Sequence, residues 1–148
     1  MATHAERRAL PYTPQQMFAL VADVERYPEF LPWCRAARIT RRDGNVLYAD
    51  LVIGFRMFRE RFTSKVSLSP PDSIHVDYIK GPMRHLNNHW RFEPRDGGCV
   101  IDFHVDFELR SVLLDRAIGL LFHEAARRMV SAFEARARAL YGAPSRDA

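Results

Sequence analysis

The sequence predicts an α+β fold in which a curled antiparallel sheet wraps around one long C-terminal helix. Three observations carry this. From Cys34 to Arg110 apolar residues recur at every second position, the period of a strand. Turn signals divide that stretch at Asp43-Gly44, Pro70-Pro71-Asp72, Gly81-Pro82 and Arg95-Asp96-Gly97-Gly98, as sequential hairpins require. Beyond Arg110 the apolar spacing becomes helical and stays so to about Tyr141. Strands that run together, with helices kept to the ends, give α+β rather than an alternating α/β chain. The 148 residues suit one domain over 1–142, with a small polar tail over 143–148 that is expected to fray.

Taken in order, residues 4–10 form a weak first strand, broken by Pro11-Tyr12-Thr13-Pro14. Thr13 is placed to cap a helix with Pro14 at its first position, and Met17, Phe18, Leu20, Val21 and Val24 follow at helical spacing. In VERYPEFLPWC, residues 24–34, Pro28 and Pro32 limit the chain to a short helical turn followed by extended backbone. Six further strands are expected over 35–42, 45–55, 57–68, 73–80, 85–93 and 100–110. The last is the clearest: Ile101, Phe103, Val105, Phe107 and Leu109 alternate with Asp102, His104, Asp106, Glu108 and Arg110. Ser111 can cap a single final helix from Val112 to about Tyr141. One broad face of it carries Leu114, Ile118, Leu121, Phe122, Ala125, Met129, Ala132, Phe133 and Leu140. Leu113 and Leu120 fall on the polar side, so the first three turns are apolar nearly all round.

A sheet curled over such a helix can enclose a cavity. The period-two rule points Phe58, Phe62, Val66 and Leu68 inward with Glu60 and Ser64, then Ile74, Val76 and Tyr78 with Lys80 at the strand end, then Trp90 and Phe92 with Asn88. Phe55 closes the strand before them. An aromatic wall with a few polar groups suits an apolar small molecule. A slip of one residue, a bulge or a strand end would instead put Glu60 in solvent. Tyr27, Phe30, Leu31 and Trp33 stand at the join between the N-terminal helices and the sheet, either lining a cavity mouth or plugging the core.

Other chemistry is poorly supported. His123-Glu124-Ala125-Ala126-Arg127 begins like a zinc-protease helix but has Arg127 where the second histidine must stand. His85 and His89 are four apart on a strand, roughly 13 Å, too far for one metal. Asp102, Asp106 and Glu108 read as a solvated face neutralised by Arg91 or Arg95. Cys34 and Cys99 have neither a redox nor a zinc spacing and read as packed, reduced thiols. There is no phosphate-binding glycine loop and no nucleophile motif, so no catalytic residue is assigned and an enzyme is not indicated. No run of about 18 apolar residues is present, and MATHAERRAL lacks the apolar core of a secretion signal, so a cytoplasmic chain is expected. The charge is +4, and arginine supplies 20 of the 22 basic residues. Arg38, Arg41 and Arg42 on one strand, with Arg59, Arg61 and Lys65 on another, could meet phosphate on RNA or lipid head groups; acids on the same face could also simply match them.

Three segments, VERYPEFLPWC, GFRMFRERFTSKV (54–66) and GPMRHLNNHWRF (81–92), together resemble the coenzyme Q-binding START-domain family, whose bacterial members are also called ribosome association toxins. The likeness runs from about residue 3 to 142. It implies a helix-grip fold over a lipid-sized tunnel, and a bound ubiquinone or related polyprenyl lipid, with no covalent cofactor and no metal. It also implies a chaperone or carrier role supporting respiration, with transient contact at the inner membrane. The alternative it implies is binding to the large ribosomal subunit that blocks subunit association. Met83 stands where the family often has an aromatic residue, a place a thioether can fill. The ligand-facing set expected from these readings is Phe30, Leu31, Trp33, Phe55, Phe58, Glu60, Phe62, Tyr78, Asn88, Trp90, Phe92, Leu114, Ile118 and Leu121.

Overall fold

The computed structural model describes residues 2–55 and 58–142, with the side chains of Phe55 and Phe58 outside the description. Met57, expected to open a strand, and the tail 143–148 lie outside the described residues. The elements run β1 (Ala2–Leu10), α1 (Pro14–Ala22), a 3₁₀ helix (Val24–Glu29), β2 (Cys34–Asp43), β3 (Val46–Phe55), β4 (Phe58–Ser69), β5 (Ser73–Lys80), β6 (Met83–Arg95), β7 (Gly98–Leu109), α2 (Val112–Gly119) and α3 (Phe122–Tyr141). The strands form one antiparallel sheet in the order β1-β7-β6-β5-β4-β3-β2. This is the helix-grip arrangement: six hairpin-linked strands, β1 added beside β7, and α3 laid across the concave face.

Local chemistry sets the corners. The Thr13 hydroxyl accepts the Gln16 N–H at 3.1 Å while the Gln16 side chain accepts the Thr13 N–H at 2.9 Å, a reciprocal cap that starts α1. At Gly98 a side chain would meet the Leu10 carbonyl oxygen at 1.9 Å, so only glycine lets β1 turn there against β7. Register shifts in β2–β3, β4–β5 and β6–β7 bend the sheet around the helix. The shift at Thr63/Ser64 leaves Ile79 as an extra residue, which turns both Ile79 and Lys80 to solvent; the inward side expected for Lys80 is thereby corrected.

The core lies between the sheet and α1 and α3. Phe92, Phe103, Phe133, Met17, Ile74 and Ile101 are among its fully buried side chains. The Tyr12 hydroxyl donates to the Gly142 carbonyl and the Tyr141 hydroxyl to that of Gln16, fastening the end of α3 to α1.

The single helix expected after Ser111 is two. Ser111 does cap α2, accepting the Leu114 N–H at 3.3 Å. Gly119 is a weak helix former, and the Leu121 N–H takes the Ile118 carbonyl in a tight three-residue turn before α3 begins. The buried face of α3 is Phe122, Ala126, Val130, Phe133 and Ala137, and Leu140, expected on that face, is exposed. None of the residues of α2 is buried.

Candidate functional site

Two adjoining cavities lie between the sheet and the C-terminal helices. The inner chamber, about 240 Å³, is walled by Leu31, Leu51, Phe62, Val76, Trp90 and Val105 from below and by Met129 and Phe133 of α3 from above. The outer chamber, about 440 Å³, lies between Met83, Phe107 and Leu109 on the sheet and Ile118, Leu121 and Ala125 on the helices. Trp33 and Ile53 belong to both walls. Along α3 and its N-cap their lining residues run from Leu121 to Phe133, roughly 18 Å at the rise of an α-helix. The two spaces therefore follow one another beneath α3, with the α2 end as the mouth.

The expected residues divide sharply. Leu31, Trp33, Phe62, Asn88, Trp90, Ile118 and Leu121 line the chambers. Phe30 does not. It is half-buried, with its ring 5.2 Å from that of Phe133 and the Arg136 guanidinium 5.1 Å over its face, so it plugs the join. Phe92 is core, packed edge-on against Phe18 and stacked with Trp90. Tyr78 packs on the core, and its hydroxyl accepts the Met83 N–H at 3.1 Å instead of facing the cavity. Glu60 keeps the inward side opposite Ile53 but lines neither chamber and has no hydrogen-bond or ion-pair partner among the described residues. Leu114 is exposed on α2 and lines neither chamber. Phe55 and Phe58 lie outside the described side chains.

Sequence reasoning left out of the ligand set Ile53, Leu51, Val105, Phe107, Leu109, Met83 and Met129. The alternation of β7 already pointed Val105, Phe107 and Leu109 inward; only the depth of the cavity over them was hidden. Met83 fills its place as a buried thioether in the outer wall.

Polar groups in the walls are few. The Asn88 side-chain amide donates to the His104 carbonyl at 2.9 Å, and its oxygen accepts the Trp90 indole N–H at 2.9 Å. The Tyr27 hydroxyl donates to the Val21 carbonyl, and burial holds its pKa far above the ordinary range. Cys34 also borders the inner chamber; burial pushes its thiol up to about 11, which makes it a poor nucleophile. At the mouth Glu124 is paired with Arg128 at 3.2 Å and Arg127 at 2.6 Å, and the Arg128 hydrogen bond holds its carboxyl below the usual carboxylate range.

On the convex side, Arg38, Arg41, Arg59, Arg61 and Lys65 share the outer face of β2–β4 around Asp50 and Tyr48. Arg42 does not join them: the shift between Ile39 and Arg41 sets it opposite Leu47, on the other side of the sheet. The acids of β7 are matched by different partners from those expected. Arg7 of β1 bridges Asp102 and Glu93 at 3.0 Å each, while His85 and His104 flank Asp106. His123 meets His4, ring nitrogen to ring nitrogen, at 3.1 Å. No helix among the described residues is long and apolar enough to cross a membrane.

Comparison with known proteins agrees with this architecture. The sequence profile of a family described as polyketide cyclase / dehydrase and lipid transport matches residues 10–134. A ribosome association toxin RatA of Pseudomonas aeruginosa is 38% identical over 96% of this chain and its own full length. The mitochondrial coenzyme Q-binding protein COQ10 homolog B of Xenopus laevis is 34% identical over 94% of this chain and 59% of its own. A START superfamily protein of Mycobacterium smegmatis superposes with a TM-score of 0.82 at 15% identity, covering 95% of this chain and 99% of that one, which shows the shared fold.

Proposed function

We propose, for a chain that belongs to the polyketide cyclase/dehydrase and lipid transport family, among its ribosome association toxin and COQ10-type members, that it holds ubiquinone or a related polyprenyl lipid and carries it in support of respiratory electron transport. The observation that carries this is the pair of adjoining apolar chambers that share Trp33 and Ile53 in their walls. A long apolar tail gains free energy in proportion to the area it buries, about 25 cal/mol per Å², and both chambers offer it apolar walls. The role is one of binding rather than catalysis.

A carrier must meet a membrane to load and unload. Val112, Leu113 and Leu120 are 62%, 79% and 88% exposed beside the mouth, with Arg110 and Arg116 among them, a surface suited to a transient contact with the inner membrane from the cytoplasm. The test is direct. Protein purified from its host is extracted with organic solvent, and the extract is read for quinone absorbance. A lipid-free extract, together with no uptake of added ubiquinone, would remove the reading.

A second reading rests on the five basic side chains gathered outside β2–β4 and on the name of the bacterial relative: association with the large ribosomal subunit through RNA phosphate. Such binding must weaken as salt rises. Sedimentation with large subunits at low and moderate salt decides it, and no co-sedimentation at low salt ends it.

A further inference from the structure

The polar atoms of the inner chamber are not equally occupied. Tyr27 and Cys34 give their hydrogens to backbone carbonyls, and the Trp90 indole gives its own to Asn88. Two capacities remain. Ser64 is fully buried at 0% exposure, lines the chamber, and its hydroxyl oxygen has no hydrogen-bond partner among the described residues. The side-chain amide of Asn88 has a second N–H beyond the one given to His104. A buried hydroxyl left unpaired weakens a fold, so one kept facing a cavity marks a place where a partner arrives from outside.

The geometry of these two groups is specific. Ser64 lies on β4 opposite Tyr78, immediately after the register shift at Thr63/Ser64. Asn88 lies on β6 opposite Val76. They share the concave face, two strands apart and offset by two residues along β5, roughly 12 Å between backbones at the usual strand spacing and rise. A single hydroxyl or carboxyl head reaches one of them. A ring that bears oxygens at opposite ends reaches both. Resting on the lipid-binding reading, we propose that the inner chamber is the head-group site: Ser64 Oγ and the free N–H of Asn88 hydrogen-bond the two oxygens of a quinone-type ring, and the outer chamber is left for the tail.

The experiment compares two probes on the full chain: decylubiquinone, and decylbenzene, which has the same tail on a ring without oxygens. Both are read by displacement of anilinonaphthalenesulfonate, for wild type and Ser64→Ala. Ser64→Ala is expected to weaken decylubiquinone about five- to tenfold, the share of one hydrogen bond, and to leave decylbenzene unchanged. Its Tm should equal or exceed that of wild type, because an unpaired buried hydroxyl is removed. Equal weakening of both probes, no weakening of either, or a Tm lower by several degrees overturns the head-group site while the lipid reading stands. Wild-type protein that takes up neither probe overturns both.

Discussion

The two C-terminal helices face the same sheet with opposite outcomes. In α3, Phe122, Ala126, Val130, Phe133 and Ala137 are buried, and the opposite side carries Glu124, Arg127, Arg128 and Arg138. In α2, Val112, Leu113 and Leu114 are as apolar as anything in α3, yet they remain exposed. Composition therefore does not separate core from mouth; what separates them is whether the apolar residues repeat on one stripe. A stripe can be laid on a sheet and sealed. Apolar residues all round a short helix can be covered only in part, and the rest must face water or something that comes to meet it.

The sharpest way to break this comparison is at the seal. Phe133 is 1% exposed, and its ring stands 5.0 to 5.4 Å from those of Trp90, Phe30 and Tyr27. Phe133→Ala is expected to cost about 3–5 kcal/mol in urea unfolding. A loss under about 1 kcal/mol would mean that α3 rests loosely on the sheet and that the two helices do not differ in kind.

The next test splits neighbours inside VERYPEFLPWC. Phe30 belongs to the seal, through Tyr27, Phe133 and Arg136, whereas Leu31 borders the inner chamber. Phe30→Ala should lose about 2–3 kcal/mol, toward the lower end of aromatic truncations because the ring is only half-buried. Leu31→Ala should lose less, about 1 kcal/mol, since part of its side chain faces empty space, and should instead change quinone retention. Equal losses at both positions would make the segment one plug.

At the mouth the expected stability effect is near zero. Leu113→Ser with Leu120→Ser removes two side chains that are largely in solvent, so unfolding free energy should change by less than about 0.5 kcal/mol. Transfer of ubiquinone from anionic vesicles should slow several-fold. Unchanged transfer would detach α2 from loading.

Much of this was legible before any coordinates, and the pattern of what was not is physical. Period two marked the inner and outer faces of β7 and β4, and Thr13-Pro14 marked the start of α1, because those signals are local. The break at Gly119 to Leu121 was missed because one glycine in an apolar run does not announce a change of direction. Tyr78, Phe92 and Phe30 were placed on the correct side of the sheet or join, yet outside the cavity. Facing inward is written in the sequence; whether the space in front is filled depends on which side chains arrive from α1, α3 and the 3₁₀ helix. Arg42 failed for a related reason, since a register shift in β2 changes the side of the residues after it.

The smallest effect lies on the convex face, far from both helices, where pH should act without touching the grip. His89 lies between His75 on β5, with ring centroids 5.5 Å apart, and its partner His104 on β7. Burial, then the charges of His75, Arg91 and His104, lower its pKa from the ordinary 6.5, against the pull of Asp102. The unfolded chain thus takes up the proton at a pH where the folded one does not, and linkage makes stability rise with pH across that window. Read downward, the loss begins near pH 6.5 and levels off once the folded state is protonated as well. Because much of the ring is in contact with water, the loss is expected to be a shallow decline in Tm. His89→Gln should flatten that decline relative to wild type between about pH 7 and 5, and a variant whose profile stays parallel to wild type would show that His89 does not set the slope.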